Sequence, residues 1–133
     1  MPSLFSRIIA GEIPSYKIYE DEKLYAFLDI NPVQLGHVLV VPKEEIGDIL
    51  DMDDSILSYL MVTAKNIIAP AIKQATNCVR VWFLVEWLWV SDHMHLHLIP
   101  LQNIGDLNPE KAHTETSENM VAIAEKLHTF LPA

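Results

Sequence analysis

Near the start of the chain, Leu4, Phe5, Ile8 and Ile9 recur at helical spacing. Ser3 stands ahead of them as a cap, and Gly11 is placed to end the short helix. The pattern then turns to strands over residues 16–19, 24–30 and 37–41. They are separated by the turn Glu20-Asp21-Glu22-Lys23 and by a bend at Asn31-Pro32 and Leu35-Gly36. Pro42 closes the third strand because it has no N–H to give to a ladder.

The longest periodic run is helical. From residue 55 to 74, Ile56, Leu57, Leu60, Met61, Ala64, Ile67, Ile68, Ala71 and Ile72 fall on one side. Asp53 and Asp54 suit its positive N-terminal end, and Pro70 predicts a kink near Asn66. Two strands follow, over 78–85 and 89–101, with so little between them that a hairpin is expected. A two-residue turn at Glu86 and Trp87 would set Trp82 opposite Ser91, Leu84 opposite Trp89 and Arg80 opposite His93. Residues 102–116 read as a polar loop. A last helix, 117–131, is expected to bury Met120, Val121, Ala124, Leu127 and Leu131. Strands first, one long helix, then a hairpin make an α+β pattern, an antiparallel sheet covered by helices in a single domain of residues 1–133.

Composition narrows the function classes. The chain has 133 residues and a formal charge of −9 at pH 7, with no basic run, so a nucleic acid polymer is an unfavourable partner. A small anionic ligand remains compatible, because a local pocket can oppose the global field. No apolar run approaches the roughly 20 residues of a membrane span, and no leader pattern is seen. A cytoplasmic protein without a membrane partner is expected. Cys78 is the one cysteine, which rules out an internal disulfide or a multi-cysteine zinc site.

Chemistry concentrates in His93-Met94-His95-Leu96-His97. On a strand these three imidazoles share one face, and Met94, Leu96 and Leu98 share the other. The apolar set has an obvious core role and the histidine set has none. Two readings compete. Neighbouring imidazoles can ligate zinc, but positions i and i+4 lie roughly 13 Å apart at about 3.3 Å per residue, so one strand supplies only two ligands. Alternatively, a neutral imidazole attacks phosphorus while its neighbours fix its tautomer and neutralise the phosphate.

The stretch His93-Met-His95-Leu-His97-Leu-Ile-Pro100 resembles the signature of the histidine-triad (HIT) family. Upstream blocks resemble it in order and spacing: Leu4-Phe5-Ser-Arg-Ile8-Ile9-Ala-Gly-Glu-Ile-Pro14, Ala26-Phe27-Leu28-Asp29-Ile30-Asn-Pro32, and Gly36-His37-Val-Leu-Val-Val-Pro42-Lys43. The likeness covers at least residues 3 to 101. It implies a HIT-like fold, a five-stranded antiparallel sheet with one long central helix, a short N-terminal helix and a C-terminal helix. It also implies a homodimer with a joined sheet of ten strands.

The implied activity is hydrolysis or nucleotidyl transfer at the α-phosphate of a purine nucleotide conjugate, through a covalent nucleotidyl-histidine and with no cofactor. Carried over by position, His95 is the nucleophile and His93 orients it. His97 meets phosphate oxygens and the leaving group, and His37 is a further histidine near the triad. Asp29 matches the carboxylate for the ribose hydroxyls, with Ile30 beside it, while Phe5, Ile8 and Phe27 match residues around the base. Core packing for the three apolar residues, an ordinary turn role for Asp29 and a structural role for His37 are the plainer alternatives.

Two departures stand out. Zinc-binding members of the family carry cysteines near the N-terminus, where this chain resembles them with Ser3 and Ser6, so no metal is expected. All three tryptophans, Trp82, Trp87 and Trp89, fall where relatives have small or polar residues, and Ser91 is the candidate replacement for a phosphate-holding side chain. The cluster reads as an engineered substitution of glycines. It implies either cross-strand packing, worth about 0.2–1 kcal/mol per pair, or a pocket re-lined by indoles. In the second case the chain is a catalytically impaired nucleotide-binding or protein-interaction module.

Overall fold

The computed structural model describes residues 3–85 and 93–132. Among the described residues five strands form one sheet: β1 (Lys17–Glu20), β2 (Leu24–Leu28), β3 (Val38–Pro42), β4 (Arg80–Val85) and β5 (Leu96–Leu101), in the order β1-β2-β3-β5-β4. Every neighbouring pair is antiparallel. The helices are α1 (Leu4–Ile9), α2 (Asp54–Thr76) and α3 (Ser117–Thr129). The α+β antiparallel pattern and the five-stranded sheet implied by the resemblance are both observed.

Both faces of the sheet are covered, which is why β2, β3 and β5 read as nearly continuous apolar runs. On one face Leu24, Ala26, Leu28, Val38, Val40, Leu96 and Leu98 meet Leu60, Ala64, Ile68 and Ile72 of α2 and the apolar stripe of α3. On the other, Tyr25, Phe27, Leu39 and Val41 pack under Phe5 and Ile8 of α1. Ile99 and Leu101 continue that second face against Val33.

Local chemistry sets the ends. The Ser3 hydroxyl accepts the Ser6 amide as the α1 N-cap, and Gly11 follows the helix at φ +83°. Within α2, residues Ala64–Ile68 form a π-turn, and the Ala69 amide reaches back to the Ala64 carbonyl. Pro70 has no N–H for the Asn66 carbonyl, and widening the helix just ahead of it accommodates the ring. The disturbance predicted near Asn66 is therefore a π-turn inside an unbroken helix. The 23 residues of α2 are also long and apolar enough to cross a membrane, but its Leu60, Ala64, Ile68 and Ile72 are buried against the sheet.

Two expectations are corrected. In α3 the buried residues are Met120, Ile123, Ala124 and Leu127, and Val121 is 46% exposed. Helical spacing from Met120 reaches Ile123 and Ala124, whereas Val121 sits about 100° round the axis. The second correction concerns the hairpin. β5 begins at Leu96, not residue 89, and the ladder pairs Val85 with Leu96, Leu84 with His97, Trp82 with Ile99 and Arg80 with Leu101. The two-residue turn at Glu86 and Trp87 is excluded, since ten residues separate the paired ends. The register differs from the expected one by eight positions. An even slip returns every side chain to its original face, so alternation alone could not detect it. Trp82 lies on the face that carries His97, across from Ile99. Trp87, Trp89 and Ser91 lie outside the described residues.

Candidate active site

Pairing of β3 with β5 runs only from Val38↔Leu98 to Val40↔Leu96. His97, opposite Leu39, is thus held in the sheet, while His93 and His95 precede the strand. This modifies the expected single row on a regular strand. The imidazoles nonetheless gather: ring centroids lie 4.9 Å apart for His95 and His97, and 5.0 Å for His37 and His97. All four histidines are at most 1% exposed.

Hydrogen bonds assign the tautomers. The Val33 amide donates to His37 Nδ1 at 3.2 Å, so the neutral ring carries its proton on Nε2. That Nε2–H donates to His97 Nδ1 at 2.8 Å, which leaves the His97 proton on Nε2. His95 has the reverse arrangement. Its Nδ1–H donates to the His93 carbonyl at 2.9 Å, placing the lone pair on Nε2. His93 donates from Nε2 to the Pro42 carbonyl at 2.7 Å and accepts the Ser3 hydroxyl on Nδ1 at 2.8 Å.

Burial keeps the rings of His37, His95 and His97 neutral. It pushes His37 down to about 3. It also pushes His97 down to about 2, with His37 and His95 adding to the effect. His95 is lowered as well, first by burial, with the bond to the His93 carbonyl opposing. Asp29 sits 3.7 Å from His37 Nε2 and accepts the Asn31 amide at 2.9 Å. Burial raises its carboxyl above the usual value.

Asp29, His37 and His97 are close enough together to suggest a cation site. The tautomers oppose it. With the Val33 amide aimed at His37 Nδ1, a metal on Nε2 would require the imidazolate.

A profile of the HIT domain matches residues 10–104. The chain belongs to the histidine-triad (HIT) family. It is 43% identical over 103 residues to an uncharacterized HIT-like protein of Borreliella burgdorferi, covering 73% of each chain. It is 41% identical over 98 residues to the adenosine 5'-monophosphoramidase HNT1 of Saccharomyces cerevisiae, covering 73% of this chain and 61% of that protein. Among solved structures, a Hit-like protein from Bartonella henselae superimposes with a TM-score of 0.84 at 28% identity, over 97% of this chain and 96% of that one.

The HIT positions read from the sequence are found in three places. His37, His97 and Asp29 cluster at the ends of β3 and β2. Phe5 stands edge-on to His95 and His93, with centroids 5.3 and 5.9 Å away, and 5.6 Å from Phe27. It shares an apolar layer with Ile8. Ile30 is 61% exposed next to Asp29, turned to solvent rather than core. Sequence reasoning missed Val33, Pro42 and Glu45. The first two act through backbone groups, which side-chain patterns do not reveal. Glu45, which accepts the Ser6 hydroxyl at 3.1 Å, lies 39 residues along the chain in no recognisable motif.

Proposed function

We propose that this HIT protein hydrolyses the phosphoramidate or a related bond at the α-phosphate of a purine nucleotide conjugate, through a nucleotidyl intermediate on His95. The supporting observation is the pair of opposite tautomers on adjacent rings. His95 presents a lone pair at Nε2, and His97, 4.9 Å away between centroids, presents a proton at Nε2. In the first step the His95 Nε2 lone pair attacks the α-phosphorus, and the P–N bond breaks. The departing amine takes the His97 Nε2 proton. Water then attacks the nucleotidyl-histidine, returns a proton to His97 and releases the nucleoside monophosphate. Transfer replaces water by another acceptor. Asp29 would hold the ribose hydroxyls, and Phe5, Ile8 and Phe27 the base.

The assignment of substrate class follows the relatives named as adenosine 5'-monophosphoramidases. His95→Ala should abolish turnover of adenosine phosphoramidate with the circular dichroism spectrum unchanged. Acid quench of the wild type should trap an adenylyl group on the His95 peptide. Undiminished activity in His95→Ala would remove the mechanism.

A second reading is favoured by one observation, the near-complete burial of the four histidines. On that reading the chain binds nucleotide or a protein partner without turnover, its pocket altered by Trp82, Trp87 and Trp89. Restored turnover after reverting the three to Gly would select it.

We also propose a homodimer. β4 pairs on one side only, with β5, among the described residues. Its exposed Trp82 and neighbouring Val79 form an apolar margin suited to a second copy. Light scattering after size exclusion tests this, and a monomeric mass at micromolar concentration would reject it.

A further inference from the structure

Sheet pairing stops at Leu96 on both sides among the described residues, one position short of His95. The reactive ring therefore precedes the strand, and its tautomer depends on where the His93 carbonyl lies. Among the described residues, two anchors bear on that carbonyl. One is the backbone bond from the Met94 amide to the Ile46 carbonyl, at 2.6 Å. The other is the His93 side chain, which reaches across to the start of α1.

The Ser3 hydroxyl faces two acceptors, His93 Nδ1 at 2.8 Å and Ser6 Oγ at 3.2 Å. His93 spends its ring proton on the Pro42 carbonyl, so Nδ1 accepts. The Ser3 hydroxyl, 2.8 Å away, supplies the proton. Ser3 Oγ in turn accepts the Ser6 amide at 3.0 Å as the helix cap. The Ser6 hydroxyl donates to Glu45 Oε1, which also accepts the Ser3 amide. The ring of His93 is thus tied to the helix cap, and the cap to the Glu45 carboxylate. Phe5, in the first turn of the same helix, rests edge-on against both His93 and His95.

We propose that Ser3, Ser6 and Glu45 are positioning residues for His95, acting through the ring and carbonyl of His93. The proposal rests on the reading of His95 as the nucleophile. Ser3 is the donor that fixes the His93 tautomer. Glu45 orients both serines, through the amide of Ser3 and the hydroxyl of Ser6. The lock does for residues 93–95 what ladder bonds do for 96–101.

The test separates the lock from simple helix capping. Ser3→Ala should lower kcat for adenosine phosphoramidate by about 10- to 100-fold, the scale of a small misplacement of a reacting group, with KM little changed. Ser3→Thr keeps the hydroxyl and should recover kcat. Ser3→Asp keeps the cap but has no proton to give to His93 Nδ1, so its kcat should stay low at neutral pH. Glu45→Gln should give a smaller loss in the same direction. Imidazole 15N spectra should show an unprotonated, hydrogen-bonded His93 Nδ1 in the wild type and in Ser3→Thr. The His95 Nδ1–H signal should broaden in Ser3→Ala.

Full activity in Ser3→Ala, or wild-type kcat in Ser3→Asp, would overturn the proposal. Absence of turnover in the wild type would instead defeat the nucleophile reading. The spectra then decide on the lock alone, and unchanged His93 and His95 signals in Ser3→Ala would refute it.

Discussion

His37 offers a quantitative test, because its burial makes stability depend on pH with a defined sign. Unfolded, the ring titrates near 6.5; folded, burial holds it at about 3. As pH falls below 6.5 the unfolded state takes up a proton that the folded state refuses, so stability declines with falling pH over the window from 6.5 to about 3. His97, held at about 2, acts in the same direction from 6.5 down to its folded value. Each such histidine removes about 1.4 kcal/mol per pH unit once the unfolded ring is protonated. From pH 8 to pH 5 the pair should therefore cost about 4 kcal/mol, a large part of the ~5–15 kcal/mol that holds a domain together.

His37→Gln isolates one of the two. Its amide can accept from the Val33 amide and donate to His97 Nδ1, as the imidazole does, but it does not titrate. Urea unfolding at several pH values should show the loss over that range fall by about 2 kcal/mol in the variant, whatever its absolute stability. The raised Asp29 carboxyl works with the opposite sign, but it is present in both proteins and leaves the difference. An unchanged pH slope in His37→Gln would mean that His37 titrates normally in the folded state, and the reasoning would fail.

Leu98, fully buried between the sheet and α2, should cost about 2–5 kcal/mol when changed to Ala, read as a lower urea midpoint with m unchanged. Gly36→Ala should cost about 1–3 kcal/mol. Gly36 has φ +103°, and a Cβ there would stand 2.9 Å from Thr76 Cγ2; a neutral thermal shift would contradict this. Ser3→Cys with Ser6→Cys should confer one tightly held zinc per chain. His93 Nδ1 already faces both positions at 2.8 and 3.5 Å, and its other nitrogen is tied to a carbonyl in the manner of a metal-ligating histidine. Elemental analysis of tag-free protein that finds no zinc would refute that geometry.

Much of this protein is written in its local sequence. The helical stripe from Ile56 to Ile72, the Ser3 cap and the turn residues around Asp21 and Asn31-Pro32 specify their elements through short-range forces, and each formed close to where the pattern put it. The His-x-His-x-His run and its upstream blocks identified the family and brought His37, Asp29 and Phe5 into view before any contact was known.

Other features were decided only by the packed chain. An eight-residue slip of β4 against β5 preserves every inward and outward side chain, so only the fit of β5 between β3 and β4 could choose it. Val121 and Ile123 are equally apolar, and the direction from which α3 meets the sheet buries one and exposes the other. The tautomers of His37, His95 and His93 hang on the Val33 amide and on the carbonyls of His93 and Pro42. Backbone groups carry no residue-specific signal, and long-range placement alone brings Val33, Pro42 and Glu45 to the rings they hold.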